Sequence, residues 1–378
     1  MDFEYNVKML QLSDDEREYD GNLTEGDIKL YKEINRIFSK AENKAKLPCC
    51  VLCGKECSSF CNSHSVPRFA LSRIAENGKV SQTLKNKMPL HEKSLGVKQT
   101  GTFKLICNTC DNESFQDYEN PSSYSNKPTN KMIAQIALKN HLLMIHKRLV
   151  ERNLYTLLGK RYPQNKDFLD DKVLVGDLDL IGYVSGLQYA QKAVEKSNDK
   201  YYHLYYYKAL DYVVPYATQS SISLIGDFND NVINDLFNSS VQYKIKDIHV
   251  AVFPLENTSV VMLFAEEGEK RYRKFYKQFK KLSDEDQLAA INYIVFSTIE
   301  NVFLNPNVQN EMQKNKRFIE VCGQSTEAIS EMTPFEMLDF DNYSKACLSK
   351  AIEEFSLSKM YEIPNLLSRE YAITSIVE

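Results

Sequence analysis

The chain has 378 residues, a formal net charge of −4, 43% apolar residues and 26% charged ones. That is ordinary globular usage, which excludes wholesale disorder and supplies enough apolar material for a sizeable core, in a length that fits about two or three domains. No apolar run approaches the roughly 18 residues of a membrane span, and the opening Met-Asp-Phe-Glu has neither a basic nor an apolar leader region, so the expectation is a cytoplasmic protein without membrane contact.

Asp14, Asp15, Glu16, Glu18 and Asp20 load the N-terminus with acid. Thr24-Glu-Gly-Asp27 then reads as a helix-capping sequence, and Leu30, Tyr31, Ile34, Ile37 and Phe38 follow at helical spacing. Residues 1–47 are therefore assigned to an acidic N-terminus and a leading helix, closed by Pro48.

Residues 48–121 are cysteine-rich: of nine cysteines in the chain, seven fall between Cys49 and Cys110. An odd number so clustered speaks against a secreted disulfide framework and for metal binding. Cys50-Val-Leu-Cys53 and Cys107-Asn-Thr-Cys110 have the CxxC spacing in which one turn brings two sulfurs to the same ion, and Gly54 lets the first turn fold tightly under it. The expectation is a structural zinc ion on Cys50, Cys53, Cys107 and Cys110. Cys49, Cys57 and Cys61 are spare thiols, and a pairing that uses one of them is the rival assignment.

Residues 122–378 read as one α+β domain. Pro128 is placed for the first turn of a connector helix over 128–158 that stops at Gly159, with apolar positions from Met132 to Leu149 broad enough to pack on more than one side. His203-Leu-Tyr-Tyr-Tyr and Ser221-Ile-Ser-Leu-Ile are β-rich, and Ile248-His-Val-Ala-Val-Phe and Ser259-Val-Val-Met-Leu-Phe flank a polar loop as hairpin strands do. Tyr272, Phe275, Tyr276 and Phe279, then Ser283-Asp-Glu-Asp286 ahead of Leu288, Ile291, Ile294 and Val295, return the pattern to helix. The fold class predicted is α+β: a small zinc domain followed by a larger domain with an antiparallel sheet and helices.

Gly176, Gly182 and Gly186 are too widely spaced for a nucleotide-binding fingerprint, and neither a Gly-x-Ser-x-Gly elbow nor an HExxH helix is present. Between the cysteine pairs, Lys79, Lys85, Lys87, Lys93, Lys98 and Lys104 are opposed only by Glu92, with Arg68 and Arg73 just upstream. Such an excess suits phosphate contact that is salt-dependent and indifferent to sequence, with Arg68, Lys85, Lys87 and Lys93 as candidate nucleic-acid-binding residues. In the second basic segment, from Arg271 to Lys281, helical spacing assigns the aromatics to the core and the charges to solvent.

Asn62-Ser-His-Ser-Val-Pro67 lies between the two CxxC turns, and together they resemble the HNH nuclease family, whose treble-clef or ββα-metal unit carries an Asp/His-His-Ile-x-Pro strand between two such knuckles. The resemblance spans about Cys49 to Tyr118. It implies that His64 is the general base and that a second divalent ion (Mg, Mn or Ni) assists, so that the protein is a metal-dependent endonuclease acting on DNA or RNA in bacterial or phage defence. The surrounding sequence also looks like uncharacterised bacterial proteins built on an HNH-like finger. Two positions depart from the pattern: Ser63 stands where a metal-binding Asp or His is usual, and Phe115 where a closing His or Asn is usual. Glu113 and Asp117, one helical turn apart, or Glu119, are candidate replacements, equally readable as acids favoured near a helix N-terminus. His64 itself reads as the base, as a structural histidine hydrogen-bonded inside the finger, or as an additional zinc ligand in place of one cysteine. The alternative function is a non-catalytic zinc finger that binds nucleic acid or a protein, with the C-terminal domain sensing or assembling, and a homo-oligomer is among the possible partners.

Overall fold

The computed structural model describes residues 25–82, 95–196, 199–238, 240, 242–327 and 340–373. The protein is α+β, built around an antiparallel sheet whose strand pattern follows from the branched and aromatic runs of the sequence. In chain order the long strands are β5 (Tyr202–Leu210), β6 (Tyr216–Ile222), β7 (Ile248–Pro254) and β8 (Ser259–Glu266), joined by the short β9 (Val302–Leu304) and by β2 (Lys79–Gln82) and β3 (Leu95–Gly96) from the cysteine-rich segment. The order across the sheet is β3-β2-β9-β6-β7-β8-β5: six strands, extended to seven by the two-residue β3.

The expected hairpin is β7–β8, with Pro254 opposite Ser259 and the loop closed by the Leu255 amide donating to the Thr258 carbonyl at 2.8 Å. Alternation sends Val250, Val252, Val261 and Leu263 to one face and Ala251, Phe253, Val260, Met262 and Phe264 to the other. Both sets are buried, so the sheet is covered on both sides. Helices α6 (Arg273–Phe279) and α7 (Asp284–Thr298), with α9 (Lys316–Glu327) and α11 (Leu357–Met360), cover the first face. Ser283 caps α7 by accepting from the Asp286 amide, and on α6 Phe275 and Phe279 are buried while Lys274, Lys277 and Lys280 face solvent, as the spacing predicts. Two further helices, α8 (Pro306–Met312) and α10 (Phe340–Glu354), complete this C-terminal part.

The other face carries α2 (Arg68–Ile74), α4 (Asn130–Arg161) and the near half of α5 (Lys166–Glu195). The leading helix is α1 (Glu25–Lys44), whose Ile37 and Ala41 pack on Leu154 and Leu158 of α4. The acidic N-terminus and Thr24 lie outside the described residues.

Three boundaries differ from the sequence reading. The connector helix is capped by Thr129, whose hydroxyl accepts from the Met132 amide, which leaves Pro128 ahead of the cap. It runs through Gly159 to Arg161, because Gly159 is buried against Leu169 of α5 and ends no helix there. The strand expected at Ser221–Ile225 is centred earlier, at β6, since Ser221 and Ser223 both donate to the Asp247 carboxylate at 2.6 and 2.5 Å and the pairing with β7 stops at Ile222. Helix α5 has no counterpart in the sequence reading. It pairs with α4 along most of its length through Arg148–Asp179 and Arg152–Asp177 ion pairs, the latter at 3.2 Å. Among the described residues no helix is long and apolar enough to cross a membrane.

The cysteine-rich segment is built into the sheet. Its β2 pairs with β9, Ser81 opposite Leu304 and Gln82 opposite Phe303, and its Val66, Leu71, Ile74 and Phe103 share one core with Ala217, Phe253 and Phe303. Buried polar contacts reinforce the junction: Ser65 donates to Asn301 at 2.8 Å, and Asn305 donates to the Ile74 carbonyl at 3.1 Å. Gly101 takes φ +60°, and a Cβ there would lie 2.4 Å from the Phe303 ring, so the turn before β4 (Thr102–Phe103) can approach the sheet only without a side chain.

Candidate metal centre and its surroundings

Two local structures bring the four cysteines together. In the first, the Gly54 amide donates to the Cys50 carbonyl at 2.8 Å and Gly54 takes φ +69°, which closes the Cys50–Cys53 knuckle. In the second, Cys107 is the N-cap of α3 (Asn108–Phe115), and its sulfur accepts from the Cys110 amide at 3.5 Å, so the second pair sits at a helix N-terminus. The knuckle and the helix are tied by the Val51 amide donating to the Leu105 carbonyl at 3.0 Å and by the Cys107 amide donating to the Cys50 sulfur at 3.4 Å. The four sulfurs all lie within 4.8 Å of one another, and Cys53 and Cys107 are 4.0 Å apart. A tetrahedral zinc with Zn–S near 2.3 Å needs sulfur separations of about 3.8 Å, so the set fits zinc with only small adjustment.

The thiols sit in different electrostatic surroundings, and among the four clustered sulfurs burial and the neighbouring sulfurs push Cys110 well above its ordinary value while Cys50 is lowered. Burial raises the Cys50 thiol, but amide donors from Cys107, Cys53 and Leu52 outweigh it and bring the group down to about 7, toward the thiolate a metal requires. Cys61 goes the other way: burial and the neighbouring Asp111 charge push it up to about 12, and its thiol donates to Asp111 Oδ2 at 3.3 Å. Cys57 donates to the Lys55 carbonyl at 3.4 Å. None of the spare thiols Cys49, Cys57 and Cys61 is in the four-sulfur group.

The region around Ser63 and Phe115 holds a feature absent from the sequence reading. Lys139 of α4 is 1% exposed, and its ammonium has three oxygen partners: Ser63 Oγ at 2.8 Å, Asp111 Oδ1 at 3.0 Å and Glu119 Oε1 at 3.1 Å. It also stands 3.6 Å from the centroid of the Phe115 ring. Ser63 in turn donates to Asp111 at 2.5 Å. Burial alone would raise the Asp111 carboxyl, but the Lys139 charge and the Ser63 and Cys61 donors hold it below its usual range. The only trace of this in the sequence is a lysine set in the apolar run Met132–Ile145, on what must be a buried stretch of helix.

The other candidates fall as follows. His64 lies on β1 (Ser63–His64), half-buried, with Nε2 2.9 Å from the Val97 carbonyl. Because a carbonyl can only accept, this contact places the proton on Nε2 and leaves Nδ1 as the free lone pair. Glu113 is exposed on α3. Helix α3 ends at Phe115, so Asp117 lies beyond it, paired with Lys131 at 2.9 Å and accepting from Gln135 at 2.8 Å. Among the described residues no hydrogen bond joins His64 to Glu113 or Asp117. Arg68 opens α2 and is exposed, as are Lys79, Lys98 and Lys104, whereas Lys85, Lys87 and Lys93 lie outside the described residues.

Comparison with protein-family models, with curated proteins and with solved structures finds no match.

Proposed function

We propose that the chain is a zinc-organised nucleic-acid-binding protein whose HNH-like finger does not hydrolyse its ligand. Zinc would be held by Cys50, Cys53, Cys107 and Cys110 as a closed thiolate shell, which fixes structure and leaves no open position for a water or phosphate oxygen. The observation that carries the proposal is the placement of Lys139. Its ammonium touches both residues at which the sequence departs from the nuclease pattern, Ser63 by hydrogen bond and Phe115 by its ring. A fixed, buried monocation with three oxygen partners already in place cannot bind and polarise a phosphate oxygen as an exchangeable divalent ion does. The binding half of the proposal draws on Arg68, Lys79, Lys98 and Lys104, which are exposed and form no ion pair among the described residues. It also draws on the neighbouring lysines Lys85, Lys87 and Lys93.

A second reading, a metal-dependent endonuclease in bacterial or phage defence, is favoured by His64, whose Nδ1 is left free to take a proton from water. One experiment separates the two. Purified protein is incubated with plasmid, single-stranded DNA and RNA in Mg²⁺, Mn²⁺ or Ni²⁺, and binding is followed in parallel across a salt series. Salt-sensitive binding without cleavage is the expected result. Metal-dependent cleavage that disappears in His64→Ala overturns the proposal in favour of the nuclease, and the absence of binding to any of the three removes nucleic acid as the ligand.

A further inference from the structure

Helix α5 is buried at its ends and exposed in its middle. Gly186, Leu187, Ala190 and Ala193 join the core on the sheet, and Leu169 joins the small cluster under α1. Between Leu169 and Gly186 no residue of α5 is buried, and α4 likewise has none between Ile145 and Leu154. Over this stretch α4 also meets Phe103 through His146, Glu300 through Lys147 and the cluster under α1 through Val150, whereas among the described residues α5 is paired with α4, and one helix can cover only one side of another.

The uncovered side is apolar. Five of the eight large apolar side chains that stand exposed among the described residues are on this stretch: Leu174 at 60%, Val175 at 53%, Leu178 at 60%, Ile181 at 70% and Val184 at 41%. At about 100° per residue Leu174, Leu178 and Ile181 fall within roughly 60° of arc, flanked by Val175 and Val184, so they form one stripe about 15 Å long. Nothing about helix formation requires them there, since the opposite face, with Leu180 and Tyr183, already supplies the contact with α4.

We propose that this stripe is the interface between two copies of the chain, packed α5 against α5 in antiparallel fashion about a two-fold axis near Leu178. With Leu178 on the axis it meets its own copy, Ile181 of one chain is level with Val175 of the other, and Leu174 is level with Gly182, whose missing side chain leaves room for it. The area agrees with this. Five side chains exposing ~100 Å² each give on the order of 500 Å² per copy, at the upper end of what a monomer leaves uncovered. Full burial of the stripe in both copies would reach about the 1,000 Å² at which specific interfaces begin. Charge does not oppose the pairing: Asp177 and Asp179, which border the stripe, are tied to Arg152 and Arg148 of the same chain, and the exposed Asp171 at the end of the face meets Ser185 of the other copy, not another carboxylate. The pairing would place four helices, α4 and α5 from each copy, in one bundle, which is the arrangement that buries a helical hairpin on both sides.

The test is the mass of the full-length, zinc-loaded protein by light scattering and sedimentation from low micromolar concentration upward. Wild type is expected to run as two chains, and Leu178→Asp/Ile181→Asp to run as one, with a dissociation constant weakened by at least roughly 100-fold because charge would be buried in both copies. Both positions are exposed, so the variant should keep its zinc and its melting temperature. A second measurement maps the contact: photo-crosslinking of Leu178→p-benzoylphenylalanine should join two chains within residues 174–184. A wild type that stays monomeric at all concentrations overturns the proposal, and so does a dimer that the double substitution leaves intact, or a crosslink that maps elsewhere.

Discussion

Lys139 Nζ lies 3.0 Å from Asp111 Oδ1, joining the middle of α4 to the helix that carries the second cysteine pair. The pair is nearly closed to solvent, with the lysine side chain 1% and the aspartate side chain 16% exposed. A buried ion pair of this kind contributes little compared with a well-packed apolar pair, but removing one partner leaves the other as an uncompensated charge.

Lys139→Met is therefore expected to lower the unfolding free energy by about 3–5 kcal/mol, since it leaves Asp111 and Glu119 without their cation. Adding Asp111→Leu should recover part of that loss. Urea unfolding of the single and double variants measures both, and purely additive losses would show that the two side chains do not act as a pair.

The metal set makes a separable prediction. The wild-type protein should hold about one zinc per chain, Cys53→Ser and Cys110→Ser should lose most of it, and Cys57→Ser and Cys61→Ser should keep it. Elemental analysis after exhaustive dialysis decides this, and zinc retention in Cys110→Ser with loss in Cys61→Ser would mean that the ligand set is wrong.

Stability should fall with acid in a window set by buried histidines. Burial pushes His141 and His146 from 6.5 down to about 4, and burial drives His249 well below its ordinary value. As the pH drops below 6.5 the unfolded chain takes up these protons first, so the stability present above 6.5 is lost progressively down to about 4. The loss is on the order of 3 kcal/mol for each of His141 and His146. Denaturant unfolding at pH 7 and pH 5 with zinc in excess gives the slope. His146→Gln should flatten it, and an unchanged slope would exclude His146 as a source.

Two glycines of α5 should behave oppositely. A Cβ at Gly186 would lie 2.4 Å from the buried His141 ring, so Gly186→Ala should cost about 1–3 kcal/mol. No atom comes within 4 Å of a Cβ at Gly182, and Gly182→Ala should stabilise by about 0.5–1 kcal/mol through helix propensity. Thermal melts of the two variants check the contrast, and equal effects would contradict the packing of α5 on α4.

What the sequence determined is what short-range chemistry specifies. The two CxxC turns were legible because a metal ligand pair is closed by four consecutive residues, and the β7–β8 hairpin and the Ser283 cap were legible for the same reason. Helix α5 was not, because three glycines and several valines give it weak propensity and its pairing with α4 holds it in place. Nor could the sequence place β2 beside β9, a strand partnership between residues more than two hundred positions apart, which builds the cysteine-rich segment into the sheet. The role of Lys139 is the clearest case. Ser63 and Phe115, with Glu113, Asp117 or Glu119 as replacements, are readable as a weakened metal site, and only the tertiary structure packs a buried ammonium from another helix against Ser63, Asp111, Phe115 and Glu119.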